Sequence, residues 1–468
     1  MARFLIAAAH KSSGKTVVST GLAAALSRAG NEVQCFKKGP DYIDPMWLAA
    51  ASGRPCYNLD FNTLSAREIL ALSATRSRGA RLAMIEANKG LFDGVDLRGS
   101  DSNAALARLL QAPVVLVIDS GGMTRGIAPL LRGYQAFDPE VRIAGVILNK
   151  VGGPRHEAKL RAAVETYTDI PVLGAIWRDP ALDIGERHLG LTTPAETGGL
   201  EALISRLGAR VRESLDLARL LTLADGAPPL PAPTPAPPAG APPHSGLRIG
   251  IARDQAFGFY YPDDLEEFER LGARLLPIDT LRDRKLPEID GLFIGGGFPE
   301  TAAERLAAND ALRREIRRAI EAGLPTYAEC GGLMYLCRSL GWEGSSQPMC
   351  GVLPADALMC SRPQGRGYTR FRETENHPWG PLPRPQLAHE FHYARLDNLD
   401  PGTTFGREIL RGYGIDGRHD AIVMKNLVAG FCHLRNSAAT PWVGRFLAFV
   451  QACRDAAAPS SRQPGPPA

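Results

Sequence analysis

With 468 residues, 44% of them hydrophobic and 22% charged, the chain is too long for one ordinary core and has the balance of a globular protein rather than a disordered one. Its net charge of +4 is thinly spread, without the dense Lys/Arg clusters that bind nucleic acid, and no apolar run reaches the roughly 20 residues that span a bilayer, so neither is expected as a partner. The eight cysteines form no CxxC pair and no zinc spacing, which argues against a structural metal and for buried thiols.

The first apolar run, residues 4–9, reads as a strand. Polar His10, Lys11, Ser12 and Ser13 cut it too short for an export signal, so a cytoplasmic protein is expected. Lys11-Ser12-Ser13-Gly14-Lys15-Thr16 then leads into a helix-like stretch at 17–29. Between a strand and a helix, backbone amides and the positive helix end wrap a phosphate chain, so these six residues are the candidate ATP site. Lys15 is placed on the terminal phosphates and Thr16 on Mg²⁺. Ala9 stands where such loops usually carry their first glycine, and Lys11 adds a cation within the loop. The pattern resembles the deviant phosphate loops of dethiobiotin synthetase-like and MinD-like ATPases.

After a second strand, residues 37–45 gather Lys37, Lys38, Asp41, Tyr42 and Asp44 at the edge where a parallel sheet opens its ligand crevice; an ordinary turn is the alternative. Glu86, closing an expected strand at 82–85, and Asp93 offer carboxylates to Mg²⁺, because hard cations prefer oxygen. Asp119, after a strand at 114–118, is a further metal candidate or a cap. Asn149, after a strand at 143–148, is placed near the nucleotide base, with an ordinary loop as the alternative. A strand at 172–176 and helices such as 103–110 complete an alternation that predicts a parallel sheet covered on both faces, domain 1–223.

The Pro/Ala-rich stretch at 224–245 makes neither helix nor ladder and is expected to be an extended linker. Strand-like runs at 247–251, 274–278, 291–294 and 325–328, with an amphipathic helix at 303–322, predict a second doubly wound domain, 246–455, before a disordered tail at 456–468. The fold class is therefore α/β, with two doubly wound domains. Cys330 sits in Tyr327-Ala328-Glu329-Cys330-Gly331-Gly332-Leu333, between a strand and a helix. Small neighbours permit a strained elbow and a helix N-terminus favours a thiolate, so Cys330 reads as a nucleophile. His433, far along the chain, is the candidate base, and backbone amides of 295–300 are candidates for an oxyanion hole. His389-Glu390-Phe391-His392 invites a metal reading, but strand alternation sends neighbours to opposite faces, so shaping of the glutamine pocket or a domain interface is preferred.

Taken in order, the 11–16 loop, 39–45, 90–94, Glu186-Arg187-His188-Leu189-Gly190-Leu191, 295–300, 329–332 and 389–393 resemble the cobyrinic acid a,c-diamide synthase family from Arg3 to about Ala448. The resemblance implies a class I-type glutaminase half with Cys330 and His433 in the catalytic roles and no third carboxylate assigned. It implies an N-terminal half that phosphorylates a substrate carboxylate, with Asp41, Tyr42, Glu86 and Asp93 around substrate, nucleotide and Mg²⁺. Expected partners are a tetrapyrrole, glutamine and ATP, with a homodimer as a compatible assembly. Glu86-Ala87-Asn88-Lys89-Gly90-Leu91 departs from the Glu-Gly-Val-x-Gly-Leu of many such enzymes and resembles relatives from sulfur-oxidising bacteria associated with sirohaem amidation. Cobyrinate is the first expected substrate and sirohaem the alternative.

Overall fold

The computed structural model describes residues 1–187, 190–230 and 242–457. His188 and Leu189 of the 186–191 motif, residues 231–241 of the expected linker and residues 458–468 of the expected tail lie outside the described residues. The chain divides into two compact units, residues 1–235 and 236–468.

Seven strands build the main sheet of the first unit: β1 (Ala2–Ala8), β2 (Val33–Lys38), β3 (Tyr57–Leu59), β4 (Leu82–Glu86), β5 (Val114–Asp119), β6 (Ile143–Val151) and β7 (Val172–Trp177). They pair in the order β3-β2-β4-β1-β5-β6-β7, every pair parallel. Successive side chains of a strand point to opposite faces, and here both faces are apolar. Phe4 and Ile6 of β1 join a core with Val18, Leu22 and Trp47, whereas Leu5 and Ala7 join a second core with Leu106, Ile127 and Leu160. Each of the larger side chains, wholly withdrawn from water, contributes about 1.5–3 kcal/mol. Helices α1 (Lys15–Arg28) and α2 (Ile43–Ser52) follow β1 and β2. The loops after β1, β2 and β4 therefore emerge side by side at the carboxyl edge, which is where an open α/β sheet holds its ligands. β3 was not expected: three residues carry no readable period.

The second unit has a nine-stranded sheet, ordered Arg274–Ile278, Arg248–Ala252, Gly291–Ile294, Thr326–Glu329, Leu427–Gly430, His419–Met424, Thr404–Arg411, Gly365–Glu373 and Gln386–His392. The first five strands run parallel, as the doubly wound pattern predicts, and the rest extend the sheet by antiparallel pairing. Ile294 and Ala328 pack on one side with Leu333 and Tyr335; Phe293 and Tyr327 pack on the other with Phe268, Trp442 and Phe446. The helix expected at 303–322 is two helices, Ala303–Ala308 and Asp310–Glu321. Asn309 divides them because its buried amide donates to Thr280 O and Asp283 O, each at 2.8 Å, and its backbone leaves the helical region at φ −85°, ψ 56°.

Among the described residues no helix is long and apolar enough to cross a membrane. All eight cysteines are free, and only Cys360 and Cys453 are not buried.

Candidate functional site

At the carboxyl end of β1 the chain turns through Ser12 (φ 66°) and Gly14 (φ 80°), both left-handed, and enters α1 at Lys15. Gly14 is needed twice over, since a Cβ there would also collide with the Asn149 amide. Asn149 Nδ2 donates to Ser13 O at 2.8 Å, and Lys150 Nζ donates to Ser12 O and to Asp119 Oδ2 at 2.9 Å each. The end of β6 thus braces the loop, through an Asn149 amide that was expected near the nucleotide base. Asp119 is held by Lys150 and by the Gly121 N–H at 2.9 Å. Ser13 is buried, with its hydroxyl on His10 O at 2.9 Å, whereas Lys11 and Ser12 are exposed at the loop's tip. Lys15 is buried; desolvation, reinforced by Lys37, lowers its pKa to about 8 against the pull of Glu86, Asp44 and Asp93.

Beneath the loop lies a compact charged cluster. Lys37 Nζ, 2% exposed, contacts Asp44 Oδ2 at 2.5 Å and Glu86 Oε1 at 3.0 Å. Thr16 Oγ1 donates toward the same two oxygens at 3.2 and 2.9 Å. Burial disfavours the Lys37 charge, but Asp44 and Glu86 outweigh it and raise its pKa. Burial likewise opposes the Asp44 carboxylate, which Lys37 and Thr16 nevertheless hold below its ordinary range, while burial wins at Glu86 and raises it. Glu86 is completely buried and its Oε2 has no hydrogen-bond partner, an arrangement that calls for a ligand. Thr16, Glu86 and Asp44 supply the hard oxygens that suit Mg²⁺. Among the described residues no group of three His, Cys, Asp or Glu side chains forms a metal cage.

Asp41 Oδ1 accepts from the N–H groups of Ile43 (3.0 Å) and Asp44 (3.1 Å), so it caps α2, and its Oδ2 lies 3.9 Å from Lys37. Burial and neighbouring Asp44 raise its pKa. Tyr42 is buried beside it, and Asp93 is exposed, accepting from Gly90 N at 2.9 Å. Lys15, Thr16, Glu86 and Asp41 thus converge. Asp44, read from the sequence only as one of the charged groups of 37–45, was given no metal or substrate role, although its position three residues after Asp41 at a helix start puts both carboxylates at one end of α2.

In the second unit Cys330 occupies the sharp turn between strand Thr326–Glu329 and helix Gly331–Leu336, with φ 49° and ψ −101°. The Gly-Gly that follows is explained sterically. A Cβ on Gly331 would lie 3.0 Å from Pro299 Cδ, and one on Gly332 would collide with the Ile294 carbonyl, because the 295–299 segment passes directly over the elbow. Of the amides expected to form an oxyanion hole, Gly295 N–H instead donates to Tyr260 Oη at 3.0 Å. His433 is 3% exposed and hydrogen-bonds the Cys330 thiol. Burial would lower its pKa, but the hydrogen bonds with Cys330 and Glu329 prevail and push it up to about 10.

Two groups surround this imidazole: Glu329, given no role from the sequence, and His389, from the run expected to shape the glutamine pocket or a domain interface. Glu329 Oε2 stands 3.4 Å from His433 Nδ1, and the His389 ring stacks on His433 at 4.9 Å between centroids. Both neighbours arise from chain segments whose meeting is set only by the sheet: His389 and His433 form a backbone bridge, with His433 N donating to His389 O at 2.8 Å. The rest of the 389–392 run is structural. Glu390 accepts from Tyr413 N and Gly414 N, and His392 stacks on Phe431 at 3.8 Å.

Both units match known protein families. Residues 4–191 match the CobQ/CobB/MinD/ParA nucleotide binding domain, and residues 248–440 match the CobB/CobQ-like glutamine amidotransferase domain. A cobyrinate a,c-diamide synthase of Magnetococcus marinus is 46% identical over 94% of this chain and 95% of its own. Those of Methanosarcina acetivorans (39%, 93% of each chain) and Listeria monocytogenes (38%, 93% of this chain and 96% of its own) are similar over comparable lengths. With nearly end-to-end similarity of this strength, and a phosphate loop and a thiol elbow where the two domain models match, the chain belongs to the cobyrinate a,c-diamide synthase family.

Proposed function

We propose that this enzyme, an ATP-dependent ligase that uses glutamine, converts the a and c acetate carboxylates of cobyrinate to amides. The observation that supports it most is the pairing, in one chain, of a buried thiol–imidazole elbow with a phosphate loop beside which the buried Glu86 carboxylate keeps one oxygen, Oε2, without a hydrogen-bond partner.

In the second unit the Cys330 sulfur attacks the glutamine carboxamide carbon. His433 takes the thiol proton and returns one to the departing nitrogen, ammonia leaves, and water hydrolyses the thioester to glutamate. In the first unit a macrocycle carboxylate oxygen attacks the γ-phosphorus of ATP and ADP departs. The acyl phosphate then accepts ammonia at its carbonyl carbon and releases phosphate. This activation is necessary because a free carboxylate offers only oxide as a leaving group. Lys15 holds the transferring phosphate, Lys11, Ser12, Ser13 and Gly14 line the phosphate chain, and Asp41, Tyr42 and Asp93 face the macrocycle. Mg²⁺, when held by Thr16 and Glu86, offsets phosphate charge. The cytoplasm, where ATP and glutamine are both supplied, is the proposed compartment.

Sirohaem is the second reading, favoured by the Ala87-Asn88-Lys89 departure. Asn88 lies against Gly39, two residues before Asp41, and is fixed by hydrogen bonds with Asn103, so the altered residues border the proposed macrocycle contacts. The direct test is Cys330→Ser. It should abolish glutamine-driven amidation and retain amidation driven by ammonium salts; loss of both, in folded protein, would contradict this division of labour.

A further inference from the structure

We propose that Glu329, the residue immediately before the thiol, is the positioning carboxylate of the glutaminase centre, orienting His433 so that Glu329, His433 and Cys330 act as a triad with two members adjacent in the chain. The inference rests on the reading of Cys330 as the glutamine nucleophile.

The geometry has three parts. Glu329 Oε2 and His433 Nδ1 are 3.4 Å apart, and both residues are 3% exposed. That separation is long for a charge-assisted hydrogen bond, but such contacts commonly tighten only once substrate is bound. With Nδ1 facing the carboxylate, Nε2 is left for the thiol, which is the tautomer a base needs. Second, the carboxylate is itself held: Oε1 accepts from Tyr327 Oη at 2.6 Å and from Leu434 N–H at 2.9 Å. Leu434 follows His433, so one carboxylate grips the ring and the backbone beside it.

Third, adjacent residues of a regular strand point to opposite faces, which would separate Glu329 from Cys330. The left-handed backbone at Cys330 breaks that alternation, so that Glu329 and the thiol both reach the same imidazole. The strain at the elbow thereby assembles the triad as well as exposing the nucleophile.

The groups facing the His433 ring are Cys330, Glu329 and the stacked His389, which Tyr261 Oη meets at 3.5 Å. Burial, with His433 and Arg435, keeps His389 well below its ordinary pKa, so it opposes charge on His433 only weakly and Glu329 supplies the negative partner.

A merely structural Glu329 would serve its Tyr327 and Leu434 donors equally well as glutamine, because an amide oxygen accepts the same two hydrogen bonds. Glu329→Gln therefore separates the two roles. The full-length protein is assayed for glutamine hydrolysis, and Cys330 alkylation by iodoacetamide is followed against pH, with the modified peptide identified by mass spectrometry. The expected result is a fall in kcat of about 10²–10⁴ with KM changed by less than about threefold, and an alkylation profile displaced by about one pH unit or more. Glu329→Asp, which keeps the charge at a shorter reach, should recover part of the rate, and it carries the same pH test if the glutamine variant fails to fold. Wild-type kcat and an unmoved profile in Glu329→Gln would overturn the inference. If Cys330→Ser abolishes hydrolysis in the same assay, the nucleophile reading stands and only the role of Glu329 falls. If Cys330→Ser still hydrolyses glutamine, the nucleophile reading itself fails.

Discussion

Gly296→Ala tests how tightly the thiol site is built. A Cβ at Gly296 would lie 2.7 Å from His433 Cε1 and 3.3 Å from both Cβ and Cδ2 of Phe259. Ordinary contact between carbons needs about 3.5–4.0 Å, so the imidazole must retreat by nearly 1 Å. It has little room, being stacked on His389 and facing Glu329. A displacement of that size in a catalytic group costs about 10²-fold in rate. Glutamine hydrolysis should therefore lose roughly 30- to 100-fold in kcat, while ammonium-driven amidation in the other unit stays near wild type. Steady-state assays with each nitrogen source, alongside a thermal melt, measure this. Gly297→Ala is the contrast, because its Cβ would collide with the Ala256 carbonyl and should disturb the fold itself. Wild-type glutaminase activity in Gly296→Ala would refute the reasoning, since it would mean the ring is free to move.

Lys37→Met leaves the buried Glu86 and the partly buried Asp44 without their cation, and unpairing a buried ion cluster costs about 3–5 kcal/mol. Denaturant unfolding should show that loss, with Mg²⁺ restoring part of it, and an unchanged midpoint would contradict the cluster's role. Glu86→Gln should abolish ATP-dependent amidation without altering Cys330 alkylation; retained amidation would remove Glu86 from the proposed site. His377 is buried beside Arg407 and Arg445, and desolvation together with those two charges lowers its pKa to about 2. As pH falls below 6.5 the unfolded chain takes up a proton that the folded one refuses, so stability declines by up to about 1.4 kcal/mol per unit until pH nears 2. His377→Asn should flatten that slope in pH-dependent melts, and an unaltered slope would show that other groups govern it.

Most of the parallel strands were legible because hydrophobic runs mark them, although β3 and Leu427–Gly430 were not expected, and the phosphate loop and elbow were legible because their glycines answer local needs of backbone. The antiparallel half of the second sheet was not, since its strands carry mixed patterns, as in Gly365–Glu373, whose burial alternates irregularly. The contacts of Glu329 and Asn149 were hidden for another reason. Glu329 meets His433 more than a hundred residues on, and Asn149 braces Ser13 from the far end of β6. Such contacts depend on strand order, which no local spacing encodes.

The account's central claim is that a glutamine-derived nitrogen ends on a tetrapyrrole carboxylate. Purified protein should be incubated with ATP, Mg²⁺ and amide-¹⁵N glutamine, with cobyrinate and sirohaem offered separately, and each macrocycle followed by mass spectrometry. Replacing a carboxylate OH by NH₂ after attack on the phosphorylated carbonyl lowers the mass by about one unit with unlabelled glutamine and leaves the nominal mass unchanged with the labelled amide. Parallel reactions with the two glutamines therefore reveal the transferred nitrogen. Two labelled amides on cobyrinate, absent in Cys330→Ser, are predicted. Glutamine hydrolysis with neither macrocycle labelled would contradict the account.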